Sequence, residues 1–235
     1  MNKLLIGDIN TSKTLYLEED TTLIIEKYKG YLSIVAKNDI QVFINVLFSD
    51  IRIKYSTVHN TRVYVFAIDS SVSFDIDLLK DDILFNYYYS NINIKDNDYN
   101  ININHLGNNI TSKITNHGIN TTDSKLSYVI NTVVPKNYTR INTNQYSKII
   151  TLKDNNSNIK PNLLIDNDDI EANHSAYIGR FKEDNIFYLM TRGISRDDAT
   201  VLLVRSFLIG DMDISFEERE IILKQINEYW RWFYE

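Results

Sequence analysis

Short apolar runs with alternating polar positions fill the chain from Thr14 to about Leu152. Each run is a few residues long and rich in β-branched or aromatic side chains, and about 8–12 residues separate successive starts. A period of two in runs of this length is typical of β-strands. The clearest runs lie at residues 23–25, 31–35, 40–44, 51–53, 63–66, 72–76, 92–94 and 101–103. The pattern predicts an all-β body.

Turn residues favour one all-β architecture over the others. The chain has 7 glycines and 2 prolines, although tight hairpins usually need glycine at positive φ. Asparagine is abundant instead, and it tolerates the left-handed region and can form stacked ladders. These features favour a stack of coils, each with two or three short strands, over a sandwich or barrel of hairpins. Codon bias alone is the other explanation for the abundant asparagine.

The hydrophobic period changes after Phe181, where helical spacing begins. A short helix is predicted to open at Glu183, with Gly193 at the C′ position that often ends a helix. Ser195 with Asp198 and Ser215 with Glu218 have the spacing of capping boxes, which predicts two further helices. Their expected buried stripes are Ala199, Leu202, Leu203 and Phe207, then Ile222, Ile226, Tyr229 and Phe233. We therefore expect a β domain at 1–181 and a helical domain at 182–235.

Composition excludes several classes of function. The net charge of −6 argues against nucleic-acid or acidic-membrane binding. With no cysteine, the chain offers no thiolate nucleophile, redox pair or thiolate cluster ligand of its own. It contains no phosphate-binding glycine motif and no GxSxG elbow. No apolar run reaches the ~18 residues of a membrane helix, and the amino terminus lacks a signal-peptide pattern, so we expect a cytoplasmic protein.

Three aspartates and one histidine are candidates for chemistry. Asp166, Asp168 and Asp169 resemble a metal or glycosidase carboxylate set, but they directly follow an apolar run, where solvated turn aspartates are more common. His174 lies in a strand-like segment among small residues, which leaves its imidazole uncrowded. Imidazole suits iron and zinc, although a lone histidine is more often a hydrogen-bonded core residue. His59, His105 and His117 show no HxH or HExxH pairing with it.

The segment from Lys160 to Ala199 carries a more specific signal. It contains KPNLLI at 160–165, DDIEANH at 168–174, IG at 178–179, IFYL at 186–189 and RGI at 192–194. These motifs, in this order and spacing, resemble the carboxy-terminal signature of the SufB/SufD family, the scaffold subunits of the Suf iron–sulfur cluster assembly machine. The likeness is greater to SufD, because Ser175 follows the histidine where SufB-type chains carry an acidic residue.

The resemblance implies a right-handed parallel β-helix followed by a small helical domain. It implies a non-catalytic scaffold whose helical domain docks a SufC-like ATPase, and we expect that contact at Phe187, Tyr188, Arg192, Gly193 and Ile194. The β-helix would pair with a SufB-like subunit or a second copy, and ATP-driven movement of SufC would act on the paired β-helices. His174 matches the SufD histidine implicated as an iron or cluster ligand at that interface.

Two features of the chain limit what it could do alone. It starts almost directly in strands, whereas longer relatives carry an amino-terminal helical region. Without cysteine, we expect no stably bound cofactor, only a transient iron or iron–sulfur cluster shared with a partner. The alternatives are a β-helical carbohydrate-active enzyme that uses the three aspartates, and a purely structural subunit in which His174 has no role in cluster formation.

Overall fold

A computed structural model describes residues 2–7, 12–154 and 156–234, without the side chains of residues 231–234. Its strands are β1 Asn2–Gly7, β2 Lys13–Leu17, β3 Thr21–Glu26, β4 Lys29–Ala36, β5 Ile40–Leu47, β6 Asp50–Thr57, β7 Thr61–Ile68, β8 Ser71–Leu78, β9 Leu84–Asn93, β10 Asn97–His105, β11 Thr111–Asn120, β12 Leu126–Val134, β13 Ile141–Thr151, β14 Asn158–Ile165 and β15 Ile170–Gly179. The helices are α1 Glu183–Met190, α2 Arg196–Ile209 and α3 Phe216–Tyr234. Strands thus begin earlier than the sequence pattern predicts, at Asn2 rather than near Thr14.

The strands form two parallel sheets that share every coil of the chain. Odd-numbered strands make an eight-stranded sheet in the order β1-β3-β5-β7-β9-β11-β13-β15, and even-numbered strands make a seven-stranded sheet from β14 to β2. Each coil therefore gives one strand to each sheet. Coils lengthen along the chain, from 19 residues where Asn2 pairs with Thr21 to 31 where Thr111 pairs with Asn142. The predicted parallel β-helix with a helical C-terminal part is confirmed.

The corners between strands are made by polar side chains rather than by glycine and proline. Asp20 accepts a hydrogen bond from the backbone N–H of Gln41 one coil later, at 2.8 Å. Asp39 accepts from Asn60 N at 3.1 Å, and Asn60 in turn accepts from Leu84 N at 2.7 Å. Each side chain therefore satisfies a backbone donor of the next coil, which is how Asx residues stabilise turns.

Asparagine contributes to the coils in the two ways that the sequence predicts, as stacked ladders and at positive φ. On the outer face of the seven-stranded sheet, Asn131 donates to Asn102 at 2.7 Å and Asn162 donates to Asn131 at 2.8 Å. This is a ladder across three coils. Asn109 adopts positive φ, at 55°. Residues of other types share that conformation, so asparagine is only part of the explanation for the corners: Lys27, Phe48, Asp69, Asp82 and Arg140.

Side chains facing inward between the sheets form one buried core, and the helices cover a second. The inner core runs the length of the coils and includes Leu32, Phe74 and Tyr89. The second cluster lies on the outer face of the eight-stranded sheet, where Phe66 and Tyr88 pack with residues of α2 and α3. The helical segment is therefore packed along the β-helix. None of the helices in the described ranges is long and apolar enough to cross a membrane.

Both predicted capping serines begin their helices. The Ser195 hydroxyl accepts a hydrogen bond from Asp198 N at 3.1 Å. The same hydroxyl donates to the Asp198 carboxylate at 2.7 Å, in place of the backbone N–H that the longer Glu side chain of a capping box would reach. Ser215 and Glu218 form the full reciprocal box, because Ser215 N donates to Glu218 Oε2 at 2.8 Å and Glu218 N donates to Ser215 Oγ at 3.2 Å. Glu218 Oε1 also accepts from Thr22 of β3, which fixes the start of α3 on the sheet.

The predicted stripe of α2 is only partly confirmed, because Ala199 is buried and Phe207 packs against the second core cluster, whereas that of α3 is largely confirmed. Leu202 is exposed, and Val204 and Leu208 are buried in its place together with Ala199. Apolar residues lie on nearly every side of α2, so spacing alone could not select the buried side. In α3 the predicted Ile222 and Ile226 are buried. Tyr229 is half-buried, and the side chain of Phe233 lies outside the described part.

Candidate functional site

The candidate site lies at the C-terminal end of the β-helix, where the last coil has no further coil above it. Among the residues that the structure describes, β15 ends the eight-stranded sheet and pairs with β13 alone, and β14 ends the seven-stranded sheet and pairs with β12 alone. Most side chains of β15 are exposed, in contrast to the buried inner residues of β13. The hydrogen-bonding edges of both end strands are unpaired within the residues described. Such edges are ready to accept another strand.

His174 lies on the inward-facing side of β15, at the mouth of the space between the sheets. It pairs in register with Gln145 of β13, and Gln145 belongs to the buried inner row of that strand. Because in-register parallel strands keep the same face, His174 points toward the same interior. Its neighbours on this face are Ala172 and Ala176, and its imidazole is exposed. The predicted uncrowded surroundings of His174 are therefore observed.

Gln145, the neighbour of His174 on β13, has hydrogen-bond partners for its amide nitrogen but not for its amide oxygen. Its Nε2 donates to Thr132 Oγ1 and to the backbone oxygen of Asn162, the latter at 3.3 Å. Its Oε1 is buried without a hydrogen-bond partner. Buried acceptors are nearly always paired in folded proteins. The mouth therefore contains one exposed imidazole above one unpaired amide oxygen.

The other histidines lie elsewhere. His105 is buried in the interior, with Nε2 2.9 Å from Ser112 Oγ and Nδ1 3.2 Å from Val133 O. Burial lowers the pKa of His105 to about 4, so this ring is neutral near pH 7. His59 lies at a coil corner, where Nδ1 is 3.6 Å from Asp39 Oδ1. In the described part of the chain, no three His, Cys, Asp or Glu side chains are placed to hold a metal ion together.

His117 forms a contact that sequence reasoning missed. It lies on the outer face of β11, and its Nδ1 is 2.8 Å from the backbone oxygen of Phe207 in α2 and 2.6 Å from Tyr88 Oη. Its ring stacks on that of Phe207, with centroids 4.3 Å apart. Burial lowers the pKa of His117 to about 4. The contact joins helix to sheet across 90 residues of sequence, and no local pattern indicates it.

The three aspartates lie in the exposed connection between β14 and β15. Asn167 orders this connection, because its Oδ1 accepts from Asp169 N at 2.9 Å and its Nδ2 donates to Lys136 O at 2.8 Å. The first of these bonds is the pattern of an Asx turn. The arrangement fits the turn interpretation of these residues better than that of a convergent carboxylate site.

A second surface of interest lies on α1. Phe187 and Tyr188 are 67% and 57% exposed, and Met190 is also exposed. The guanidinium of Arg192 lies over the Tyr188 ring, 5.3 Å from its centroid. We call these four residues the α1 surface. Large apolar and arginine side chains exposed together are typical of protein-binding surfaces.

Gly193 and Ile194 fix the end of α1 and the position of its surface. Gly193 has φ 83°, and its N–H donates to Met190 O at 3.0 Å while Ile194 N–H donates to Leu189 O at 3.4 Å. These two bonds form a Schellman motif with glycine at C′, as predicted. Ile194 is half-buried. The two residues expected at a docking contact thus shape the turn beside the α1 surface.

Comparisons with known proteins agree with this architecture. The family described as SUF system FeS cluster assembly, SufBD core domain, matches residues 47–207. The iron–sulfur cluster assembly protein SufD of Bacillus subtilis is 31% identical over 88 residues, which cover 36% of this chain and 20% of that protein. SufB of the same organism is 43% identical over only 42 residues, 18% of this chain and 9% of SufB. The chloroplastic protein ABCI7 of Arabidopsis thaliana is 38% identical over 81 residues, 34% of this chain and 17% of that protein. The chain thus spans about a fifth or less of these relatives.

Proposed function

The chain belongs to the SufBD core family of SUF-system iron–sulfur cluster assembly, and we propose that it is a SufD-type, non-catalytic scaffold subunit. The observation that carries the proposal is the placement of His174 on an end strand whose outer edge is unpaired in the part of the chain that the structure describes. In this role the chain binds two kinds of partner. One is a SufC-like ATPase at the α1 surface, and the other is a SufB-like subunit or a second copy at the open end.

The α1 surface supports docking of the ATPase. Its exposed aromatic rings and arginine are residue types that supply much of the binding energy at protein interfaces. α1 is attached through Ile186, which is buried, and Arg196 of α2 adds two exposed hydrogen bonds to the Glu183 carboxylate of α1, at 2.7 and 2.8 Å. α2 in turn packs on the sheet through Leu208. A force applied at α1 would therefore reach the β-helix through packed elements.

The open end supports pairing with a second β-helix. β15 offers an unpaired edge within the described residues, and the apolar side chains of Leu164, Tyr177 and Ile178 are exposed around it. A strand from a partner would satisfy the edge and cover these side chains, as in other interfaces built by strand addition. His174 would then lie at the seam between the two subunits.

His174 supplies a single imidazole to the cargo that is assembled at the seam. Iron accepts imidazole as a ligand, and thiolate or sulfide ligands for an iron–sulfur cluster would come from the partner or a small molecule, since this chain has no cysteine. The chain then holds iron or a nascent cluster only transiently, together with its partner.

Association with the ATPase tests the proposal at the α1 surface. We expect the chain, coexpressed with a SufC-like ATPase, to copurify with it, and Phe187→Asp to weaken the complex at least tenfold by placing a charge in the contact. Phe216→Asp is the matched control, because Phe216 is 76% exposed on α3, away from α1. Truncation after Arg180 is less informative, since it also uncovers the outer face of the sheet. Absence of any complex at micromolar concentrations would refute the assignment.

A second variant separates a cluster ligand from a purely structural subunit. If His174 contributes a ligand, His174→Ala should leave the ATPase complex intact and reduce the iron or cluster that the purified assembly carries. A purely structural subunit predicts normal cluster loading in the same variant. Iron and sulfide content of the isolated complex, measured beside the wild-type complex, distinguishes the two.

A further inference from the structure

Gln145 and His174 are direct neighbours on the inner face of the last two coils of the eight-stranded sheet. They pair in register, and neighbouring strands of a sheet lie about 4.8 Å apart. Gln145 is 3% exposed, between the buried Thr143 and Ser147 on the same face. The His174 side chain, flanked by alanines, has room to change its rotamer. The two side chains are therefore within reach of each other.

The hydrogen bonds of Gln145 determine which way round its amide lies. One of its two partners is the backbone oxygen of Asn162, which can only accept, so the amide group facing it must be the donating nitrogen. The carbonyl oxygen Oε1 is consequently the unpaired atom. On the inner face of β15 the residues on either side of His174 are alanines, which have no polar side-chain atom to offer. Among the inner-face side chains of β15 beside Gln145, the imidazole is therefore the one that can donate to Oε1.

We propose that Gln145 is a positioning residue for His174, an inference that rests on the proposed function of that histidine. Oε1 accepts a hydrogen bond from one ring N–H, which selects a single tautomer and turns the other nitrogen toward the seam. Histidines that bind metals generally donate their second N–H to a carbonyl or carboxylate in this way, which fixes the ring and raises its basicity. The contact also supplies the missing partner of a buried acceptor.

The tautomer of His174 tests the contact without any metal. In the full chain labelled with ¹⁵N-histidine, His174→Ala identifies the His174 signals, and we expect wild-type His174 to populate mainly one neutral tautomer. Gln145→Met keeps the length of the side chain but removes Oε1, so the ring should shift toward the tautomer mixture of a solvent-exposed histidine side chain. Gln145→Glu loses the donor to Asn162 O but retains an oxygen acceptor beside the ring, and it should preserve the single tautomer.

A neighbouring residue provides the control. Asn144 lies on the outer face of β13, where its side chain bonds Asn142 and Asn173, and Asn144→Met should leave the His174 tautomer unchanged. With Co²⁺ as a probe for iron, Gln145→Met in the partner complex should lower the affinity at His174 about tenfold. The far-ultraviolet spectrum checks that each variant is folded.

The outcomes separate this inference from the proposed function. A mixed tautomer in the wild-type chain, or an unchanged one in folded Gln145→Met, overturns the positioning role even if His174→Ala reduces cluster loading. If Gln145→Met does not fold, a mixed tautomer in Gln145→Glu overturns it, and a single one supports it. A shifted tautomer in Gln145→Met supports the contact, even where failure to bind the ATPase refutes the proposed function.

Discussion

Two buried imidazoles should make the folded chain sensitive to mild acid. Burial lowers the pKa of His105 and of His117 to about 4, from an ordinary value of 6.5. The folded pKa is thus below the unfolded one, so the unfolded chain binds protons first as the pH falls. The stability contributed by the neutral rings is complete above pH 6.5 and is lost between pH 6.5 and about pH 4.

The size of the effect follows from the two pKa values. At pH 5 a histidine in the unfolded chain is largely protonated, while a buried one in the folded chain is largely neutral. This difference lowers the free energy of unfolding by about 2 kcal/mol for each ring. Together they remove about 4 kcal/mol, a large part of a typical folding free energy of about 5–15 kcal/mol. Around His117 the Phe207 carbonyl and Asp211 raise the pKa and Lys148 lowers it, but burial is the largest influence.

Urea unfolding at pH 7 and pH 5 measures this loss. With a urea dependence of about 3 kcal/mol per molar, the midpoint should fall by roughly 1.3 M between the two pH values. His117→Gln should halve that fall, whatever its effect on stability at pH 7. The control His174→Gln removes an exposed ring and should retain the full fall. If His117→Gln also retains it, burial of His117 is not the cause of the acid sensitivity.

Two further substitutions probe packing, with thermal unfolding as the measurement. Glu218→Ala removes a helix cap and the acceptor of the Thr22 hydroxyl, and should lower the free energy of unfolding by about 2–4 kcal/mol. The control is Glu217→Ala, at an exposed position in the same turn. Equal effects of the two substitutions would contradict the stabilising role of the Glu218 contacts. Gly118→Ala would place a methyl group against Tyr128 Oη and Asn91 Oδ1, and should cost about 1–3 kcal/mol; an unchanged midpoint would show that these side chains move aside freely.

The sequence predicts most of the fold because the strand signal is local and repeated. Period-two runs and scarce glycine point to coils, since a corner can be made by a side chain such as Asp39 that bonds the next coil's backbone. β1 was not predicted, although Leu4, Leu5 and Ile6 form an apolar run of the same kind as the predicted run at 23–25. In α2 the apolar residues do not define one face, and the outer side chains of the sheet decide which side is buried.

The candidate site is less predictable, because its geometry depends on coil register. The motif indicates His174, and its small sequence neighbours predict an uncrowded imidazole, which the structure shows. That it lies above Gln145 follows only from pairing between residues 29 apart, and the length of a coil varies along the chain. The contact of His117 with Phe207 has the same origin, since it depends on where α2 packs on the sheet. Contacts of this kind leave no trace in local periodicity.

The two end strands differ in a way that favours β15 as the partner-binding edge. β14 contains Pro161, and proline lacks the backbone N–H that a neighbouring strand would use, so it is found mainly on edges that stay unpaired. β15 contains no proline and keeps its full set of donors and acceptors. Exposed edges without such protection invite strand pairing. A partner that adds a strand to this end would therefore meet the edge that carries His174, so the histidine and the proposed seam coincide on β15, beside the Gln145 amide of β13.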